Sequence, residues 1–223
     1  MKAYKYLDII TGLFAATLII SNTMAVKIFT VGPFAFPVSI VVFPMAYLFG
    51  DILTEVYGYA ASRKVIWTGF AALLLMTACY AIGGKLPAAP FWPHQDAYDA
   101  IFGAVPRIVL ASMVAYFTGE FCNSFILAKI KIRLQGRWMG ARFILSTLIS
   151  QLIDTILFLV IAFAGIFPAH ELLVLIASSW GAKVAWEIVA LPLTLPLVRR
   201  LKVAEAEDHY DIGTDFNPFS LSS

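Results

Sequence analysis

The chain has 223 residues, of which 61% are apolar and 13% charged, where an ordinary soluble domain carries roughly a quarter charged. At about 20 residues per crossing plus connections, that length holds about six membrane spans and leaves no room for a separate catalytic head. The net charge of +2 is too small to argue for nucleic acid, and the two cysteines, Cys79 and Cys122, sit in apolar runs, which excludes a disulfide framework or a cysteine-based metal site.

Six apolar stretches follow one another at 7–28, 36–57, 65–84, 105–130, 141–166 and 171–198, each long enough to cross about 30 Å of hydrocarbon at 1.5 Å per residue. The first is preceded by Lys2 and Lys5 as a secretory leader would be, but it lacks a small-x-small cleavage pattern before Pro33 and reads as a span. The connection from Lys85 to Val105 is rich in Pro, with Trp92 expected at headgroup depth. Pro192 and Pro196 are expected to kink the sixth span. Residues 203–223 carry Glu207, Asp208, Asp211 and Asp215 and read as a mobile acidic tail on a single six-helix domain spanning 1–202.

Loop lysines and arginines orient the spans. Lys2 and Lys5, Arg63 and Lys64, the group Lys129, Lys131, Arg133 and Arg137, and Arg199, Arg200 and Lys202 all fall on one side, whereas the opposite connections carry Lys85 alone. The bias predicts an all-α, polytopic membrane protein with six spans and both termini in the cytoplasm.

The informative residues are the ionisable ones inside the spans: Asp51 and Glu55, Arg107 and Glu120, Asp154, Lys183 and Glu187. On insertion scales each costs roughly 2.5–3.5 kcal/mol at the centre of a lipid-facing helix, so they are expected to point inward. Counting along each helix places Asp154 about 18 Å and Lys183 about 17 Å from their respective starting faces, both near midplane. Spacings of three or four join Asp51 to Glu55, Glu120 to Asn123, Gln151 to Asp154, Trp180 to Lys183 and Lys183 to Glu187 on shared helix faces. Asn22 adds a polar group to the first span.

Each has an alternative. Lys183 and Glu187 suit an intrahelical ion pair. Asp51 and Glu55 repel on one face unless a cation approaches or a proton is held, which offers a proton or gating site; Glu55 equally suits a structural role at the Tyr57-Gly58-Tyr59 turn. Arg107 either contacts ligand or snorkels to the interface. Two positive against five negative groups favour a cationic or donor-rich ligand. His94, His170 and His209 have no metal-ligand spacing, no P-loop occurs, and no nucleophile or metal constellation marks an enzyme.

The run Asp51-Ile52-Leu53-Thr54-Glu55-Val56-Tyr57-Gly58-Tyr59 closely resembles the signature of the queuosine precursor transporters, a vitamin-uptake-like family. The likeness extends to Ser21-Asn22, Ala25 and Lys27; to Gly119-Glu120, Asn123-Ser124 and Ala128-Lys129; to Arg142, Ser146-Thr147, Gln151 and Asp154-Thr155; and to Trp180, Lys183 and Glu187. It implies a six-helix inner-membrane importer of 7-cyano- or 7-aminomethyl-7-deazaguanine that needs no cofactor, with a homodimer left open. The base would be held by Asn22, Glu120, Asn123, Gln151, Asp154, Trp180, Lys183 and Glu187, and Asp51, Glu55 and Arg107 would serve protons or gating. Carboxylates would accept the ring N–H and amine, amides or Lys183 would reach the carbonyl, and Trp180 would stack. The fold also looks like that of the substrate-binding subunits of energy-coupling-factor transporters, which makes capture for an ATP-driven complex the alternative. The first span lacks an Ala-x-x-x-Ala pattern for such docking.

Overall fold

Helix breakers decide where the chain turns. In the computed structural model, which describes residues 4–220, α1 (Leu7–Met24) ends well short of the expected position 28. The following segment contains Gly32, Pro33 and Pro37 and folds as a hairpin, β1 (Ile28–Val31) against β2 (Phe34–Pro37). Gly32 takes φ +57 at the tip, and Val31 opposite Phe34 and Ile28 opposite Pro37 set the register. A 3-10 turn, Val38–Val41, leads to α2 (Pro44–Tyr57), with Pro44 at the first helical turn, where its missing N–H costs nothing.

The stretch expected as one helix over 36–57 is therefore composite. Pro37 and Pro44 confine α2 to 14 residues, about 21 Å, too short for a crossing by itself. The hairpin lets this piece of non-helical backbone satisfy its own polar groups. Among the described residues, five stretches are long and apolar enough to cross a membrane: α1, α3 (Tyr59–Lys85), Gln95–Arg133, which holds α4 (Gln95–Phe102) and α5 (Val105–Arg133), α6 (Met139–Phe163), and α7 (Ala169–Glu205). Pro192 and Pro196 lie inside α7 as one continuous helix of 37 residues.

Short α2 is central. It touches α1, α3, α5 and α7, and every residue from Gly50 to Tyr57 is buried, including Asp51 and Glu55. An aromatic cluster of Phe14, Phe43, Tyr47, Phe70 and Tyr116 packs around its first turns, with Tyr47 and Tyr116 ring centroids 5.3 Å apart. Gly58, at φ +84, reverses the chain into α3, and a side chain there would collide with His209. The approach to α1 and the end of α7 meet at one end of the bundle: the backbone amides of Lys5 and Tyr6 donate to Glu205 at 2.8 and 2.7 Å, as does the Tyr57 hydroxyl at 2.9 Å. Lys2, used above for orientation, lies outside the described residues.

The tail differs from its expectation. Residues after Ala206 fold back across the terminal end rather than into solvent. Asp211 accepts from the Tyr59 backbone amide at 3.0 Å, Arg63 donates to the carbonyls of Asp215 and Asn217 at 2.8 Å each, and the Trp67 indole donates to the Pro218 carbonyl at 2.9 Å. Phe216 stacks near Tyr59 and Phe125, with Lys129 Nζ 4.4 Å above its ring. The acidic side chains find basic and backbone partners that sequence distance concealed.

Candidate functional site

Lys183 on α7 and Asp154 on α6 meet at the middle of the bundle. The Lys183 ammonium donates to Asp154 Oδ2 at 2.6 Å and to Thr155 Oγ1 at 3.2 Å, and it lies 5.0 Å from the centre of the Phe43 ring. Lys183 is 7% exposed and Asp154 1%, so the pair is shielded from bulk solvent and its attraction is strong. Lys183 thus pairs across to α6; the alternative of an intrahelical pair with Glu187, which helical spacing allows, is not the contact it makes.

Lys183, with Asp154 held against it, floors a cavity bordered by Pro37 at the end of the hairpin. Its walls are Ser21, Asn22 and Ala25, the segment Pro37 to Phe43, Ser112 on α5, Thr155, Phe158 and Leu159 on α6, and Ser179 on α7. The cavity measures about 20 Å³, room for about one water, so the cleft is narrow. Two buried polar atoms on its walls have no hydrogen-bond partner among the described residues, Asn22 Oδ1 and Ser179 Oγ. The Asn22 amide nitrogen is already spent on the Leu18 carbonyl at 2.9 Å, which leaves its oxygen for a donor.

Below the floor lies a layer of acids. Asp51 Oδ1 accepts from Asn123 at 2.7 Å, and Ser150 donates to Asn123 Oδ1 at 3.4 Å. The Asp51 and Glu187 carboxyls lie within hydrogen-bonding reach of each other, an interaction that takes a proton between them. Glu120 accepts from Ser124 at 3.4 Å and is pressed against the α2 backbone at Gly50, where a side chain would overlap its carboxyl. Gly119 likewise lets α6 close on α5, since a side chain there would strike Tyr47 and Asp154.

The terminal end is closed by a cluster of opposite charges. Arg142 grips Glu55 through both nitrogens, at 2.7 and 3.0 Å, Lys202 adds a contact at 2.6 Å, and Lys131 lies 3.6 Å away. Asp208 of the tail bridges Lys131 and Lys202 at 2.8 Å each. Burial alone would raise the Asp208 carboxyl, but hydrogen bonds from Lys131 and Lys202 outweigh it and hold the group below the ordinary carboxylate range.

Of the residues singled out by sequence, Asn22 and Lys183 line the cavity, Asp154 anchors its floor, and Asp51, Glu120, Asn123 and Glu187 form the layer beneath. Gln151 is buried beside them with Oε1 lacking a partner. Three others stand apart from the cavity lining. The Trp180 indole donates to the Leu148 carbonyl at 3.3 Å along α6. Arg107 is exposed and donates to the carbonyls of Ile161 and Ala164 at 2.9 and 2.7 Å, at the end of α6. Glu55 is neutralised by the three cations Arg142, Lys202 and Lys131. Phe43, Tyr47, Ser39, Ser112 and Ser179 were not singled out from the sequence. Phe43, directly before Pro44, was the legible one, since a helix start is where a side chain can turn across a cleft. Among the described residues no group of His, Cys, Asp or Glu is placed to hold a metal ion.

Residues 37–197 match the model of a family described as "Putative vitamin uptake transporter". A relative named "Probable queuosine precursor transporter" from Bacillus subtilis (strain 168) is 35% identical over 145 residues, 64% of this chain and 62% of that protein. The chain thus matches somewhat under two thirds of that relative's length. No solved structure matches.

Proposed function

The chain belongs to the vitamin uptake transporter family, a group of multi-pass membrane transporters and not enzymes, and from that premise we propose that it imports queuosine precursors across the cell inner membrane. In this reading the hairpin, 3-10 turn and α2 together make the sixth crossing, the termini are cytoplasmic, and residues 1–202 act as one transmembrane unit capped by the tail. The cavity then faces the outside and the Glu55 cluster seals the inside.

The observation that carries the reading is the Lys183–Asp154 pair at the base of the cavity. A 7-deazaguanine presents, along one edge, a carbonyl oxygen, a ring N–H and an exocyclic amine. An ammonium beside a carboxylate is the complement of that edge: Lys183 donates to the carbonyl while Asp154 accepts from the two N–H groups. The base therefore replaces the ion pair's own hydrogen bonds without leaving either charge unpartnered. Asn22 Oδ1 supplies an acceptor on the wall and Phe43 a ring plane. A bicyclic base exceeds the room now open to water, so loading widens the cleft, and accumulation is driven by protons moving with the base.

The test is uptake of labelled 7-cyano- and 7-aminomethyl-7-deazaguanine by cells that cannot make them, comparing wild type with Asp154→Asn and Asn22→Ala at equal membrane abundance. Uptake by wild type and its loss in both variants supports the reading; undiminished uptake in both removes the cavity from it.

A further inference from the structure

Beneath the cavity floor, charge does not balance. Asp51, Glu120, Asp154 and Glu187 bring four buried carboxyls from α2, α5, α6 and α7, and Lys183 is the single cation in contact with any of them among the described ion pairs. Other cations on the surrounding helices are engaged elsewhere: Lys131, Arg142 and Lys202 with Glu55, Arg107 with the carbonyls at the end of α6, and Arg63 of α3 with tail carbonyls. From α1 the nearest acid is Asp8, out at the terminal end beside the groove walled by Tyr4 and Lys64. Tyr47 and Tyr116 are the titratable hydroxyls facing the layer, toward Asp154 and Glu120 respectively. If every carboxyl were ionised, the layer would hold three uncompensated negative charges at membrane depth, the costliest place for them.

The individual oxygens point the same way. Asp51 Oδ2, Glu120 Oε2 and Glu187 Oε1 are buried and make no hydrogen bond that satisfies them among the described residues. Asp51 and Glu187 face each other, a contact between two acids that only a proton makes favourable. Asp154 differs, being neutralised by Lys183.

We infer that Asp51, Glu187 and Glu120 form a proton-binding site whose occupancy couples base movement to the proton gradient, an inference that rests on the import reading above. The three carboxyls stand on three different helices. Any rearrangement that exposes the cavity to the other side shifts α2, α5 and α7 against one another, and so changes the separation that sets how tightly the proton is held. An O–H bond forms on a carboxylate with a proton delivered through the cavity, and it breaks when the proton passes to water on the opposite side. A polar file leads that way from the layer: Ser124 accompanies Glu120 and contacts Thr54 at 2.9 Å and Ser62 at 3.5 Å.

Two measurements test this on the full chain. Infrared difference spectra of the purified protein, without substrate, are expected to show a protonated-carboxyl band at neutral pH that is lost in Glu187→Gln and in Asp51→Asn; absence of that band from wild type overturns the proposal whatever is transported. In proteoliposomes with an alkaline lumen, wild type is expected to concentrate labelled 7-cyano-7-deazaguanine, whereas Asp51→Asn exchanges the label at equal concentrations but loses accumulation. An Asp51→Asn variant that accumulates like wild type overturns it, as does a defect confined to the cationic 7-aminomethyl base, which would make the acids part of a substrate-cation site. If wild type moves neither base, the import reading fails while the infrared result still decides the proton site.

Discussion

Arg142 holds Glu55 by both of its oxygens, at 2.7 and 3.0 Å, with both side chains fully enclosed. Arg142 lies in the first turn of α6 and Glu55 in the last turn of α2, so the contact ties the central helix to the start of α6 at the terminal end. The geometry is bidentate, the arrangement that arginine supports and lysine does not.

Removing the anion from this cluster leaves three cations facing one another. Glu55→Ala is expected to destabilise the protein by about 3–5 kcal/mol, the cost of breaking a buried ion pair from one side. Arg142→Lys is expected to cost less, since Lys202 still reaches Glu55 at 2.6 Å and the charge count is unchanged. Thermal unfolding in detergent orders the two variants; equal melting temperatures for Glu55→Ala and wild type would refute the assignment.

Docking of the tail is expected to depend on acid pH through Asp208. Burial raises this carboxyl, but the hydrogen bonds from Lys131 and Lys202 win and its folded value lies below the unfolded one. A group depressed in this way contributes fully above its unfolded value, near pH 3.9, and its contribution disappears as pH falls through the lower folded value. Tail amides followed by hydrogen exchange should therefore stay protected at pH 5–7 and open progressively below about pH 4. Asp208→Asn should flatten the part of that dependence due to this group and weaken protection at neutral pH. Because Asp208 is about half exposed, raised salt should reduce the effect.

Phe216 gives an independent measure of the same docking. Its ring lies 4.9 Å from Tyr59 and 5.3 Å from Phe125, beneath the Lys129 ammonium. Half-buried in this position, it is expected to cost about 1–2 kcal/mol on truncation to alanine. Thermal melts of Phe216→Ala check the value, and no change at all would return the tail to the solvated state that its acidic composition suggests.

The long apolar helices and the burial of the polar residues within them were legible because hydrophobic run length and three- or four-residue spacing are local. Midplane depth for Asp154 and Lys183 followed from counting 1.5 Å steps, and the two side chains do meet. Partner choice was not legible. Spacing on α7 favours Lys183 with Glu187, yet Asp154, 29 positions earlier, comes closer because α6 and α7 pack along their length. The composite character of 36–57 was hidden by hydropathy, which sums over the stretch without asking whether Pro37 and Pro44 permit one helix. The tail misled for a related reason. Arg63, Lys131 and the Tyr59 amide, the groups that receive its acids and carbonyls, lie 77 to 154 positions away.

Choice of aromatic plane separates the structural site from the one that spacing suggests. Trp180 shares the helix face of Lys183 but spends its indole N–H on the Leu148 carbonyl and lies off the cavity wall. Phe43 is on that wall, 5.0 Å from Lys183 Nζ, at the point where the 3-10 segment gives way to α2. A base stacked on an aromatic ring gains about 1–3 kcal/mol, or about 5- to 150-fold in affinity. Phe43→Ala is therefore expected to weaken equilibrium binding of a labelled 7-deazaguanine by that factor, Phe43→Tyr to preserve most of it, and Trp180→Phe to leave it near wild type. The three dissociation constants decide the matter: a large loss in Trp180→Phe alongside an unaffected Phe43→Ala would move the bound base off the cavity and onto the outer face of α7.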